Sequence, residues 1–157
     1  MRVTAKGAIV AIIVGGFLAM AVAETVIRVL MPDWRSFSSS RFMTSAMDVP
    51  LGLTIGKPGF GGTFAQNDGD FKVHIRINEF GLRNGEPVTA ADGRVWIVGD
   101  SMTFGWGVER DRMYGAVAQR ISGMPTYNVA SPGTDILGYQ YLVRRMPKSL
   151  TPRAMVV

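Results

Sequence analysis

From Gly7 to Ala23 the chain runs for seventeen residues without a charged side chain. A segment so long and so apolar belongs in a membrane-spanning helix, in a signal peptide or in the centre of a soluble domain. Arg2 and Lys6 stand just ahead of it and favour the first two, because basic residues before an apolar run hold that flank in the cytoplasm and send the downstream chain across. Ala21-Val22-Ala23 has the small-x-small pattern of a signal-peptidase site. Apolar character nevertheless resumes after Glu24 through Val26, Ile27, Val29, Leu30 and Met31, which extends the helix to about the twenty residues a bilayer needs. Glu24 and Arg28 are four residues apart, so they can pair on one helix face. The expectation is an uncleaved single-pass anchor over residues 1–31 with the globular part extracytoplasmic, periplasmic or extracellular. Cleavage after Ala23 is the alternative.

This one run accounts for a mean hydropathy of +0.17, unusual for a soluble domain. The whole chain has 157 residues, room for one domain of ordinary size. Seventeen Lys plus Arg against twelve Asp plus Glu give a net charge of +5. The excess is scattered, and only Arg144, Arg145, Lys148 and Arg153 cluster, too thin a footprint for nucleic acid. That cluster reads either as a solvated helix face and loop or as a contact for anionic lipid or a partner. With no cysteine, disulfides, zinc ribbons, iron–sulfur clusters and thiol nucleophiles are excluded together. His74 is the single histidine, so most histidine-based metal sites are excluded too. No metal or cofactor is expected.

Pro32 should end the helix, and the polar, serine-rich stretch after it reads as a juxtamembrane linker over 32–50. Residues 51–90 form a β-rich lead-in. Gly52, Gly56, Pro58, Gly59, Gly61 and Gly62 suit turns between short strands. Phe71, Val73, Ile75 and Ile77 alternate with Lys72, His74, Arg76 and Asn78, which predicts a half-buried strand with His74 on its solvent face.

Beyond Pro87 strands and helices alternate. Val95 to Val98 is a continuous apolar run of the kind covered on both faces in a parallel sheet. Asp111 is placed to cap a helix carrying Tyr114, Val117, Ala118 and Ile121, with Gly123 stopping it. Tyr127 to Ala130 is a second strand. Thr134 is placed to cap a helix carrying Leu137, Tyr141, Leu142 and Met146, and Arg153 to Val157 opens a third strand. The order β-α-β-α-β predicts an α/β fold with a doubly wound parallel sheet over 94–157, whose sites form at the carboxyl ends of strands.

Those ends hold Gly99-Asp100-Ser101 and Asn128-Val129-Ala130-Ser131-Pro132-Gly133-Thr134. A serine directly after a buried strand is presented at the sheet edge, and Gly99 lets the backbone turn there. Thr103 stands where a Gly-x-Ser-x-Gly elbow would have its second glycine, and neither a phosphate loop nor a dinucleotide fingerprint is present. Gly-Asp-Ser alone also fits a plain strand-to-loop turn in which Asp100 and Ser101 satisfy local amides.

Taken together, the stretch resembles the first block of the SGNH or GDSL hydrolases, in which a buried strand ends in Gly-Asp-Ser and the serine is the nucleophile. Val95 to Ser101, followed by Thr103-Phe104-Gly105-Trp106-Gly107-Val108, is similar to that block in membrane-anchored members. Asn128 to Thr134 resembles the second block, with Gly133 as the oxyanion-hole glycine. Ile77-Asn78-Glu79-Phe80-Gly81-Leu82-Arg83 is similar to the Asn-x-x-Gly-x-Arg stretch that such members carry before the first block. The resemblance implies the β-α-β-α-β start of a flavodoxin-like SGNH fold, with Ser101 as nucleophile, Gly133 in the oxyanion hole and Asp100 structural. Its Gly-x-Asn and Asp-x-x-His blocks would lie beyond Val157. His74 precedes the nucleophile and cannot be carried over as the base, nor Asn78 or Asn84 as the oxyanion donor. The domain is therefore expected to be incomplete and these residues alone catalytically silent, since losing the base costs several orders of magnitude.

The implied chemistry is acyl transfer from a carboxylic ester. Ser101 attacks the carbonyl, and water or another alcohol resolves the acyl-enzyme. The substrate would be an ester or an O-acylated compound, such as a polysaccharide or lipid. In the alternative, the chain is a non-enzymatic, membrane-tethered binding module or inactive fragment whose segment from Arg144 to Arg153 meets anionic lipid or a partner. Phe104 and Trp106 are expected to pack within their loop, and Asp135 to favour its helix through the dipole.

Overall fold

The computed structural model describes residues 4–30, 34–46, 52–66 and 70–157. The chain divides into two compact units, Met1–Arg35 and Ser36–Val157. In the first, helix α1 (Ala5–Leu30) is 26 residues long and apolar enough to cross a membrane. Near its end two charged side chains pair within the helix, Arg28 Nε donating to Glu24 Oε1 at 2.7 Å. Pro32, expected to end the helix, lies outside the described residues.

The second unit begins with two small antiparallel ladders. Strand β1 (Met43–Ser45) pairs with β2 (Thr54–Gly56), and β3 (Gly61–Ala65) pairs with β4 (Lys72–Arg76). The strict alternation of β4 is realised, with Val73 and Ile75 buried and Lys72, His74 and Arg76 exposed. The stretch from 36 to 46, expected as linker, instead contributes to the core. Phe42 is 1% exposed, and Ala46 is also buried. Burying a phenylalanine side chain is worth about 1.5–3 kcal/mol, enough to hold a serine-rich segment that has no periodicity of its own.

Strand β5 (Val95–Gly99), helices α2 (Ser101–Phe104) and α3 (Tyr114–Ser122), strand β6 (Thr126–Ala130), helix α4 (Ile136–Arg145) and strand β7 (Ala154–Val156) come next in that order. The strands form one parallel sheet in the order β6-β5-β7. Central β5 is buried along its whole length, as expected for a strand with neighbours on both edges and helices over both faces. Trp96 and Val98 join Tyr127 and Val129 on the face packed by Leu142 of α4 and by Met146 just after it. On the other face α3 approaches Ile97 at Gly115. A second apolar cluster gathers Phe42, Phe64, Val73, Ile75, Ile77 and Phe104 between the β3–β4 ladder and the α2 loop.

Both helix caps differ from the sequence expectation. Asp111 lies in a 3-10 turn (Arg110–Arg112), and α3 starts behind Met113 with no side-chain cap. Helix α4 is capped by Asp135, whose Oδ1 accepts from Leu137 N and Gly138 N at 3.0 Å each. Thr134 points back instead and donates to the Ser131 carbonyl at 2.7 Å. The periodic stripe of α3 is not buried either; Ile121 is 82% exposed. Gly123 does end α3, in a left-handed conformation.

Candidate functional site

Parallel strands place their carboxyl ends at one edge of the sheet, and the chain turns there after both β5 and β6. Gly99 and Ala130 are register partners. The two turns are bonded to each other: Ser131 N donates to the Gly99 carbonyl at 3.1 Å, and Thr134 Oγ1 approaches the same oxygen at 3.5 Å. The segment carrying Ser101 and the segment carrying Gly133 are thereby held side by side.

Ser101 is the first residue of α2, partly exposed. Asp100 caps this short helix, its Oδ1 accepting from Met102 N at 2.9 Å. A Cβ on residue 99 would overlap the Thr103 side chain, so glycine is required for this close turn. The Thr103 hydroxyl bonds the Tyr114 hydroxyl at 2.7 Å and ties the turn to α3. Behind Ser101 the chain curls inward, Gly105 N and Trp106 N both donating to the Ser101 carbonyl at 3.0 and 2.9 Å. Phe104 is fully buried, and Trp106 packs edge-on against Phe64 with centroids 4.8 Å apart.

Gly133 has φ +73°, and a Cβ there would meet no heavy atom within 4 Å. The space above this turn is open. Ser131 next to it is buried and its hydroxyl donates to the Thr54 carbonyl, so it supports the turn and is not available at its surface.

His74 is remote from this chemistry in role as well as in sequence. Its imidazole is 82% exposed, and Nδ1 lies 3.2 Å from Glu109 Oε1. The same carboxylate oxygen accepts from His74 N at 3.0 Å, and this backbone bond is the leading cause that holds Glu109 below the usual carboxylate range. Among the described residues no side chain hydrogen-bonds the Ser101 hydroxyl, and none of them form a group of three or more metal-binding side chains.

The asparagines are structural. Asn78 Oδ1 accepts from Phe80 N and Leu82 N at 3.0 Å each, and its Nδ2 donates to the Tyr127 hydroxyl at 2.7 Å. Asn84 Nδ2 donates to the Asn128 carbonyl at 2.9 Å. Asn128 Nδ2 in turn donates to the Thr103 carbonyl at 2.6 Å, directly under the serine turn. Arg83 is 2% exposed and reaches the same turn from below. Burial brings its guanidinium down to about 10, against the pull of Glu109, so it stays charged at neutral pH.

Sequence reasoning did not single out Tyr114 or Asn128 as the side chains that hold Thr103, two residues after Ser101. Desolvation pushes the Tyr139 phenol of α4 up, and Asp100 and Asp135 add to the shift. A cavity of about 340 Å³ lies beneath α3, lined among others by Arg83, Arg94, Gln119 and Asn128. It does not include Ser101 or Gly133. The basic residues at the end of α4 and just after it are partly engaged: the Arg145 guanidinium lies 4.8 Å from the Phe80 ring centroid, and Lys148 Nζ donates to the Arg144 carbonyl at 3.1 Å.

Compared with models of protein families, with curated proteins and with solved structures, the chain finds no match.

Proposed function

We propose that the chain is the membrane-anchored, nucleophile-bearing part of an SGNH-type serine hydrolase with a flavodoxin-like sheet, acting on carboxylic esters by hydrolysis or O-acyl transfer. In this reading Ser101 attacks the ester carbonyl. The amides of Ser101 and Gly133 stabilise the oxyanion, and the acyl-enzyme is resolved by water or an alcohol. The observation that carries it is the fastening of the two turns at Gly99, which brings a serine after the central strand beside an open glycine turn after its neighbour.

Turnover also needs a base within hydrogen-bonding reach of the Ser101 hydroxyl. His74, on β4, is paired with Glu109 and does not hydrogen-bond this hydroxyl. The resemblance assigns the base to an Asp-x-x-His block and a further oxyanion donor to a Gly-x-Asn block. The test uses the chain joined after β7 to a segment carrying both blocks and treated with a fluorophosphonate probe. Labelling at Ser101, lost in Ser101→Ala, is the expected result. Labelling that survives Ser101→Ala overturns the assignment, and a completed chain that never labels favours a tethered binding module.

A further inference from the structure

Arg83 is a buried cation that forms no ion pair with a carboxylate among the described residues. Its partners are backbone carbonyls: Nη2 donates to Val108 O at 2.8 Å and to His74 O at 3.0 Å, while Nη1 donates to Phe104 O at 3.3 Å and to Gly105 O. The guanidinium also lies 5.5 Å from the Phe104 ring centroid. Taking a charge out of water costs several kcal/mol unless hydrogen bonds replace its hydration. Here both terminal nitrogens are fully used, and three of the four acceptors belong to the loop that begins at Ser101.

We infer that Arg83 is a positioning residue for Ser101, a latch that fixes the 104–108 loop and through it the orientation of the serine turn. The inference rests on Ser101 being the nucleophile. The physical case is that carbonyls 104, 105 and 108 converge on one point, which their own dipoles disfavour unless a cation sits there. The loop's remaining inward polarity is already used, since the Ser101 carbonyl takes the amides of Gly105 and Trp106. The fourth acceptor, His74 O, lies on β4, so the latch anchors the loop to the β3–β4 ladder. Glu109 adds an outer fastening to the same residue through His74 N. A planar fork with paired donors on each nitrogen suits this geometry, and a lysine ammonium with one nitrogen does not.

The test reads position without requiring turnover. The full chain in detergent or bilayer discs is compared with Arg83→Met and Arg83→Lys by hydrogen exchange. In both variants the amides of 101–109 should exchange about tenfold faster, while those of β5 and β6 stay within about twofold. Uniform acceleration across the unit, or no change in the loop, overturns the latch. If Arg83→Met does not fold, Arg83→Lys keeps the charge and the aliphatic stem and carries the comparison alone. The chain has no cysteine, so Ser101→Cys supplies one thiol whose alkylation rate across pH reports the serine position directly. Adding Arg83→Lys to Ser101→Cys should shift that rate profile; an unchanged profile makes Arg83 a structural residue only. If exchange and alkylation respond but the completed chain does not label at Ser101, the nucleophile assignment falls, and Arg83 remains a loop latch.

Discussion

Asn78 and Tyr127 stand 49 residues apart in sequence and meet at 2.7 Å, amide nitrogen to phenol oxygen. The bond joins the turn after β4 to β6. The Tyr127 hydroxyl passes its own hydrogen to the Pro87 carbonyl at 3.0 Å, and desolvation raises its pKa. One residue thus organises the tight turn locally and moors it to the sheet. Tyr127→Phe should cost about 1 kcal/mol and Asn78→Ala about 2–3 kcal/mol, because only the latter strands the amides of Phe80 and Leu82. Chemical denaturation of the unit 36–157 measures both, and equal losses would refute this ranking.

Two glycines with positive φ should behave differently. Gly81 has φ +83°, and a Cβ there would lie 2.8 Å from the Gly56 carbonyl oxygen. At Gly133 the conformation is similar but the space is open. Gly133→Ala should therefore cost about 1–2 kcal/mol from backbone strain alone, and Gly81→Ala clearly more. In a completed, active chain Gly133→Ala should lower kcat more than it raises KM. Thermal unfolding and steady-state kinetics together decide it.

Acid should weaken the lead-in region through Glu86 and Glu109. The Arg94 hydrogen bond is the leading cause that lowers Glu86, with Nη1–Oε2 at 2.8 Å, and the His74 backbone bond that lowers Glu109. For a carboxylate depressed in the folded state, the stabilisation is complete above its unfolded pKa and disappears as pH falls through the folded value. The melting-temperature gap between wild type and Glu86→Gln should be constant near neutral pH. It should narrow below about pH 4, and a gap that widens on acidification would contradict this sign.

Strand β7 is paired with β5, and its residues are exposed, Met155 at 53% and Val156 at 47%. Beside it runs an apolar groove of about 500 Å³ lined by Val98, Ile136, Tyr139, Val143 and Met155. Such an edge is a template for association. The isolated unit 36–157 should bind a hydrophobic dye and self-associate, and Met155→Lys should reduce both. A monodisperse unit that ignores the dye and hydrolyses p-nitrophenyl acetate through Ser101 would show that these residues suffice as an enzyme.

Topology follows from charge. Arg2 and Lys6 precede the apolar run, so the proposed arrangement has the N-terminus in the cytoplasm and the globular unit outside. Protease added to intact spheroplasts should digest the unit from about residue 36 onward. Digestion only after the inner membrane is opened reverses the orientation, and a soluble product starting at Glu24 replaces the anchor with a cleaved signal.

Where burial follows chain periodicity, the sequence is a good guide. Strand β4 alternates because one face meets Phe42, Phe64 and Phe104, and β5 is apolar throughout because α3 and α4 cover it. The failures share a cause. Phe42 is one aromatic in a serine-rich stretch, and a single anchor leaves no period to detect. Helix α3 has a helical stripe, but it meets β5 through Gly115 at Ile97 and borders a cavity whose lining mixes Ile97 and Met113 with Arg94, Gln119 and Asn128, so Ile121 is left exposed. Asp135 and Thr134 are both good cap residues, and the choice between them is made by Ser131, which accepts the threonine hydroxyl. Ser101 and Gly133 stand out because glycine and serine mark turns after apolar runs. Arg83 does not, because its partners are main-chain oxygens from a distant loop, which no residue type advertises.

In the proposed anchor, the Glu24–Arg28 bond sets the working length of the helix. The uncharged run from Gly7 to Ala23 rises about 26 Å as a helix, slightly less than the roughly 30 Å of a typical hydrocarbon layer. All of α1 rises about 39 Å. With the ion pair closed, roughly the last two turns, from Glu24 to Leu30, carry no net charge, so the helix can settle deeper or tilt without exposing a lone carboxylate to lipid. As an anchor, the helix would have a sliding hydrophobic length that suits bilayers of different thickness. Glu24→Gln, which leaves Arg28 unmatched, should pin it to the thinner end of that range.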